Sequence, residues 1–159
     1  MATKVTAVPE GYHTITPSLA VRDAAGAIEF YKKAFGAEER MRMPGPDGKL
    51  MHAELRIGSS LIMLGEEMPE MGARSAQALG GTPVSFYVYV DNVEAFWNRA
   101  VAAGAKPIFP LTEMFWGDRL GKLEDPFGFS WTPAQHVKDP TPEEMKRGQE
   151  AFFAQMQSA

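Results

Sequence analysis

The chain has 159 residues, 45% hydrophobic and 23% charged, with 16 Lys and Arg against 20 Asp and Glu for a net charge of −4. That length suits one compact domain burying about two thirds of the surface its unfolded form exposes, and the negative balance gives no field to gather phosphates, so no nucleic-acid partner is expected. The longest apolar stretches, residues 60–64 and 84–90, fall far short of the roughly 20 residues a membrane-spanning helix needs, and without cysteine there is no disulfide, zinc-thiolate site or thiol nucleophile.

The first nine residues, Met-Ala-Thr-Lys-Val-Thr-Ala-Val-Pro, carry no apolar core of a secretory signal, and the expected location is the cytoplasm. From there the chain repeats itself. Asp23, Ala27, Ile28, Ala34, Gly36 and Ala37 recur as Asp91, Ala95, Phe96, Ala102, Gly104 and Ala105 at a constant spacing of 68, the mark of a duplicated unit.

Residues 14–21 alternate between two faces and predict a half-buried strand. A helix follows, with Ala24, Ala27, Ile28, Tyr31 and Phe35 on one face, Asp23 as its cap and Gly36 as its stop. Two strands come next, 38–43 and Leu50–Ile57, separated by Pro44-Gly45-Pro46-Asp47-Gly48, and Gly58-Ser59 leads into a third at 60–64,. On Leu50–Ile57 the apolar face is expected to be Met51, Ala53, Leu55 and Ile57, with His52, Glu54 and Arg56 opposite.

Residues 65–83, rich in Gly, Met and Ala, read as a linker containing a short helical turn. The second copy opens with a strand at 84–90 and a helix in which Asp91, three residues before Glu94, predicts a capping box. Phe96, Trp97, Ala100 and Val101 supply its apolar face and Gly104 ends it. Short strands are expected at 106–110, 119–124 and 129–132, with Asp125-Pro126-Phe127-Gly128 as a type I turn. The tail, 141–157, opens Thr-Pro-Glu-Glu, a helix start with proline at the first helical position.

The fold class is therefore α+β: two tandem β-α-β-β-β modules forming a curved mixed sheet around a cleft, plus a C-terminal helix. The boundaries are about 12–65 and 84–133 for the modules, 66–83 for the linker and 137–159 for the tail. No phosphate loop, Gly-x-Ser-x-Gly elbow or paired zinc motif is present,.

These residues resemble the vicinal oxygen chelate superfamily, which contains glyoxalase I, bleomycin-resistance proteins, fosfomycin-resistance proteins and extradiol dioxygenases. The resemblance is carried by Leu-Ala-Val-Arg-Asp at 19–23 running into Ala-Ile-Glu-Phe-Tyr-Lys-Lys-Ala-Phe-Gly at 27–36, by Val-Tyr-Val-Asp at 88–91 with Gly104-Ala105, and by Gly-Lys-Leu-Glu-Asp-Pro-Phe-Gly at 121–128. Residues 48–55 together with Phe115-Trp116-Gly117-Asp118-Arg119 look more narrowly like a glyoxalase-like subgroup associated with phosphonate-utilisation genes. Metal-dependent members place His or Glu at four strand positions, which fall here on Thr16, Met63, Ser85 and Thr132. None is a usual ligand, so the resemblance leads to the expectation of no catalytic metal and no cofactor. It also implies homodimers.

If Thr16, Ser85 and Thr132 face the cleft, alternation puts Ser18, Tyr87, Tyr89 and Ser130 beside them, while Leu19, Val21, Phe86, Val88 and Trp131 face the helices. Tyr87, Tyr89, Trp116 and Arg119 are the candidate ligand-binding residues: the tyrosines and Trp116 to stack on a planar molecule, Arg119 to hold a carboxylate or phosphate. The bland alternatives are a sheet-edge role for the tyrosines and pairing of Arg119 with Asp118 or Glu124. His52 and Glu54 are candidate catalytic residues, as proton-transfer groups or half of a displaced metal site, against the alternative of a merely polar strand face. His13 and His136 call for no functional explanation. The leading expectation is a protein that binds a small planar or anionic molecule in its cleft, since sequestration as in bleomycin-resistance members needs no metal. The alternative is a lyase or isomerase of glyoxalase type using His52 and Glu54.

Overall fold

A computed structural model describes residues 5–159. They divide between Gly81 and Thr82 into two compact units, each with its own four-stranded mixed sheet. In the first, β1 (Ser18–Val21) leads through α1 (Ala24–Phe35) to β2 (Glu38–Pro44), β3 (Leu50–Ile57) and β4 (Ser60–Glu66). The sheet order is β1-β4-β3-β2, with β1 parallel to β4 and the other neighbours antiparallel. A 3-10 turn (Pro69–Met71) and the one-turn helix α2 (Ala76–Leu79) follow. The second unit repeats the path through β5 (Ser85–Tyr89), α3 (Val93–Ala103), β6 (Lys106–Glu113), β7 (Asp118–Glu124) and β8 (Ser130–His136), ordered β5-β8-β7-β6, and adds α4 (Pro142–Gln157). The duplication seen at spacing 68 is thus a duplication of topology. No helix among the described residues is long and apolar enough to cross a membrane.

In each unit the core lies between one helix and one sheet face. Ala24, Ala27, Ile28, Tyr31, Ala34 and Phe35 of α1 are buried against Leu19, Val21, Ala53, Leu55 and Leu64, the larger side chains contributing about 2 kcal/mol each by leaving water. In the second unit Val93 and Ala100 of α3 are buried, as are Leu123 and Trp131 of the sheet. Asp125, also buried, organises the β7–β8 turn: Oδ1 accepts from the Phe127 and Phe129 amides at 2.8 and 2.9 Å, and Oδ2 accepts from Trp131 Nε1 at 2.8 Å.

Four sequence expectations are corrected here. The first strand begins at Ser18, not residue 14; Ile15 is exposed and Pro17, lacking an amide proton, contributes only its carbonyl, which accepts from the Met63 amide at 2.9 Å,. The last strand runs on to His136 instead of stopping at 132, because Pro133 pairs with Val88 on β5 and the β7 ladder passes over it, from Leu120↔Ala134 to Leu123↔Trp131. Helix α3 is capped by Asn92, whose side chain accepts from the Ala95 amide at 2.9 Å, so Asp91 lies one residue outside and no box with Glu94 forms. Met51 is 50% exposed and Leu50 buried, because a register shift between Met43 and Pro44 interrupts the alternation at the start of β3,. At the other end of the chain the tail helix carries a complete capping box between Thr141 and Glu144.

Candidate functional site: a carboxylate-centred aromatic cluster

Strand β5 turns Phe86 and Val88 towards α3 and leaves Tyr87 and Tyr89 on the opposite face, 46% and 63% exposed. The register continues that face across the sheet: Tyr87 lies opposite Thr132, Tyr89 opposite Ala134, Ala134 opposite Leu120, and His136 opposite Asp118. Ala134, on the strand between, is fully buried and small, so both phenols reach over it to β7.

There they meet Asp118. Its carboxylate is buried, 3% exposed, and one oxygen, Oδ2, accepts from Tyr87 Oη at 3.1 Å, Tyr89 Oη at 2.8 Å and Trp116 Nε1 at 3.2 Å. The other, Oδ1, lies 2.9 Å from His136 Nδ1, whose Nε2 is 2.8 Å from Asp139. The tyrosine rings are 5.1 Å apart and tilted by 43°. Trp116 reaches the cluster from the β6–β7 turn, closed by Met114 donating its amide to the Asp118 carbonyl at 2.7 Å and Gly117 donating to the Met114 carbonyl at 3.0 Å.

The charges settle accordingly. Burial pulls the Asp118 carboxyl upward, but donation from His136, Tyr89, Tyr87 and Trp116 outweighs it and the group titrates below its ordinary range,. Burial first, and Asp118 second, hold the Tyr87 phenol well above its usual value; for Tyr89 the Asp118 bond is the larger cause. His136 is raised by Asp139 and then by Asp118. At neutral pH both phenols are therefore neutral donors committed to an ionised acceptor. What remains for a ligand is their ring faces and the Trp116 ring, a surface suited to stacking on a planar molecule.

The structure brings Tyr87, Tyr89 and Trp116 together and places Arg119 elsewhere. Arg119 lies on the α3 side of β7, its guanidinium 3.5 Å from the Glu94 carboxylate, and pairs with neither Asp118 nor Glu124. Asp118 and His136 are the residues that sequence reasoning missed. Their shared face becomes visible only once β8 is carried through Pro133 to His136.

The first unit holds a second polar group. His52 and Glu54 share the β3 face away from α1, with Nε2 3.2 Å from Oε1. Met43 sits opposite His52, and Met41 and Met63 flank Glu54 on the two neighbouring strands. The Tyr12 hydroxyl is buried beside Glu54 without a partner in hydrogen-bonding geometry among the described residues. Burial first, then the Glu54 carboxylate, push its pKa up to about 12, and Glu54 itself is lowered, by Tyr12 before His52. A carboxylate held below its ordinary range is a weak proton acceptor at neutral pH and suits an anchoring role better than general-base work.

Of the four positions the resemblance marks for metal ligands, Ser85 and Thr132 bond to each other, Oγ to Oγ1 at 3.1 Å, with Ser130 donating to Ser85 at 3.3 Å. Met63 lies opposite Ser18, and Thr16 stands just ahead of β1. Two hydroxyls committed to one another and a thioether do not fit a divalent ion. Among the described residues no three His, Asp or Glu side chains are grouped to hold one.

The model of the glyoxalase/bleomycin resistance protein/dioxygenase superfamily matches residues 11–132. The chain belongs to that superfamily. An uncharacterized protein of Mycobacterium bovis is 46% identical over 135 residues, covering 83% of this chain and 89% of its own. The crystal structure of TioX from Micromonospora sp. ML1 superposes with a TM-score of 0.65 at 26% identity, over 79% of this chain and all (100%) of that one. A gene product of Arabidopsis thaliana gives 0.63 at 28% identity, over 77% and 98%.

Proposed function

We propose that this superfamily member binds a small planar molecule on the open face of its second sheet, stacked against Tyr87, Tyr89 and Trp116, and that binding involves no catalytic metal. One observation carries the reading: three aromatic donors converge on a single oxygen of buried Asp118 while the tyrosine rings stay open to solvent. Fixing the rings in advance removes the ordering cost a ligand would otherwise meet. Since Arg119 is paired with Glu94 on the other side of β7, support falls on the planar half of the expectation more than on the anionic half.

Titration with proflavine, a planar cation, and with anilinonaphthalene sulfonate, an aromatic anion, followed by fluorescence anisotropy, tests it. The expected result is saturable binding of one dye per chain, weakened about tenfold or more by Tyr89→Ala, since a stacked aromatic contact contributes about 1–3 kcal/mol. Failure of both dyes to bind, or equal binding by the variant, overturns the reading. A homodimer, supported by the family resemblance, and a cytoplasmic location, in keeping with a chain that holds no cysteine,, are part of this proposal and are checked by light scattering and fractionation.

A second reading rests on the 3.2 Å contact between His52 and Glu54: a lyase or isomerase of glyoxalase type in which the pair moves a proton. Full retention of any discovered turnover by His52→Ala removes it.

A further inference from the structure

Helix α4 has sixteen residues and none is buried. Only Glu144, Gly148 and Phe152 are partly withdrawn from solvent, and they follow one another at i, i+4 and i+8, a single narrow stripe on the helix. Each has a partner. Glu144 accepts from Lys138 Nζ at 2.7 Å, on the segment just after β8. The Phe152 ring lies 5.8 Å from the ring of Phe115. Gly148 lies so close to Phe115 that an added Cβ would stand 2.4 Å from the Phe115 Cβ. A glycine weakens a helix interior, and here its missing side chain is what allows the approach.

Phe115 is the residue before Trp116. The two rings meet edge to face, 5.0 Å apart at 87°, and Trp116 holds Asp118 by the longest of the three aromatic hydrogen bonds, 3.2 Å. The following Gly117, at φ 96°, is fixed from the other side: its carbonyl accepts from the Val137 and Lys138 amides at 2.8 and 3.1 Å, and an added Cβ would fall 1.9 Å from the Lys138 carbonyl. The turn is therefore anchored after Trp116 by backbone and before it by α4. The α4 side of that clamp is incompletely filled, because a cavity of about 310 Å³ remains between the turn and the helix, lined by Met114, Phe115, Val137, Pro140, Arg147 and Gly148 among others. A helix held by one stripe over a partly empty seat is the sort of element that opens at low cost.

We propose that α4 is a latch on the aromatic platform: docking of Gly148 and Phe152 on Phe115 holds Trp116 against Asp118, and release of the helix frees Trp116 and weakens ligand binding. The part that concerns ligand rests on the platform reading above; the coupling of α4 to Trp116 does not. Phe115, Gly148 and Phe152 are positioning residues, acting through Trp116.

The full chain labelled with 5-fluorotryptophan gives three fluorine resonances, for Trp97, Trp116 and Trp131, and Trp116→Phe assigns the Trp116 resonance by its loss. Gly148→Ala strengthens the helix while pushing it off Phe115, and Phe152→Ala removes the ring contact; Phe152→Leu keeps an apolar filler. The expected result is a Trp116 resonance displaced towards its position in denatured protein in both disruptive variants, with Trp97 and Trp131 unmoved, near-normal behaviour of Phe152→Leu, and proflavine affinity lowered about fivefold. A Trp116 resonance unchanged in both Gly148→Ala and Phe152→Ala overturns the latch, whether or not dye binds. Displacement of Trp116 in a protein that binds neither dye upholds the coupling and removes the platform reading instead.

Discussion

Replacing Asp118 by Asn keeps the shape of the cluster's centre and removes its charge. The amide oxygen can stand in for Oδ2 and accept from Tyr87, Tyr89 and Trp116, but the amide nitrogen then faces His136 Nδ1, where Oδ1 lay at 2.9 Å, and two donors meet whenever the imidazole is protonated. A hydrogen bond to a charged acceptor contributes about 1 kcal/mol more than one to a neutral acceptor. Over three such bonds, discounted because the tyrosines are partly in water, the loss comes to about 2 kcal/mol. Urea unfolding reads this as a midpoint lower by about 1 M. The pH profile sharpens the test. The Asp118 carboxyl titrates below its ordinary 3.8 in the folded chain, so its stabilisation is present above that value and is lost as pH falls through the lower folded value. His136 titrates above its ordinary 6.5, so its contribution is complete below 6.5 and is lost as pH rises through the raised value. The deficit of Asp118→Asn is therefore largest between these two ordinary values, smaller in alkali and absent in strong acid. A midpoint within about 0.2 M of wild type at pH 6, or a deficit that grows in acid, refutes the assignment of Asp118 as the charged centre.

Asn92→Ala lowers stability by about 1 kcal/mol, the usual worth of a helix cap, whereas Asp91→Ala stays within about 0.5 kcal/mol; equal effects in denaturant titration would mean the cap is misassigned. Glu54→Gln lowers the Tyr12 pKa from about 12 but leaves it above 10.0, because burial is the larger cause; ultraviolet titration of the phenolate checks this, and an unchanged value would separate the two residues. Glu67 is held at about 2 by Ser75 first and Arg22 next, so its contribution is present above the ordinary 4.5 and fades as pH falls towards 2,. Glu67→Gln should flatten the acid limb of the stability profile in that window, and a limb of unchanged steepness would count against it.

The strands and helices were legible because their signals are local. Leu50–Ile57 is found at its expected bounds, and α1 runs from the residue after Asp23 to the residue before Gly36, since alternation, helical spacing and cap chemistry are written within a few residues. The repeat at spacing 68 likewise carries two units of one topology. Two local expectations give way to the structure: the last strand continues through Pro133 to His136, and Asn92 caps α3 in place of its neighbour Asp91.

The composition of the aromatic cluster was only half legible. Period-two counting put Tyr87 and Tyr89 on the face opposite Phe86 and Val88, and the same parity separates Asp118 from Arg119. But nothing within either segment says that β5 and β7 lie on two sides of β8, or that a small residue, Ala134, stands between them. That is why Arg119 reads as a binding residue in sequence and lies against Glu94 in space, and why nothing in the sequence marks His136 as the partner of Asp118. The sequence by itself determined which segments become strands and helices, that the chain is a doubled β-α-β-β-β unit, and which residues share a face within one strand, because those follow from backbone geometry over a few residues. Only the tertiary structure decided which faces meet, since strand order and register are set by packing between segments distant in the chain, and it is that order that gathers three aromatic donors onto one buried carboxylate.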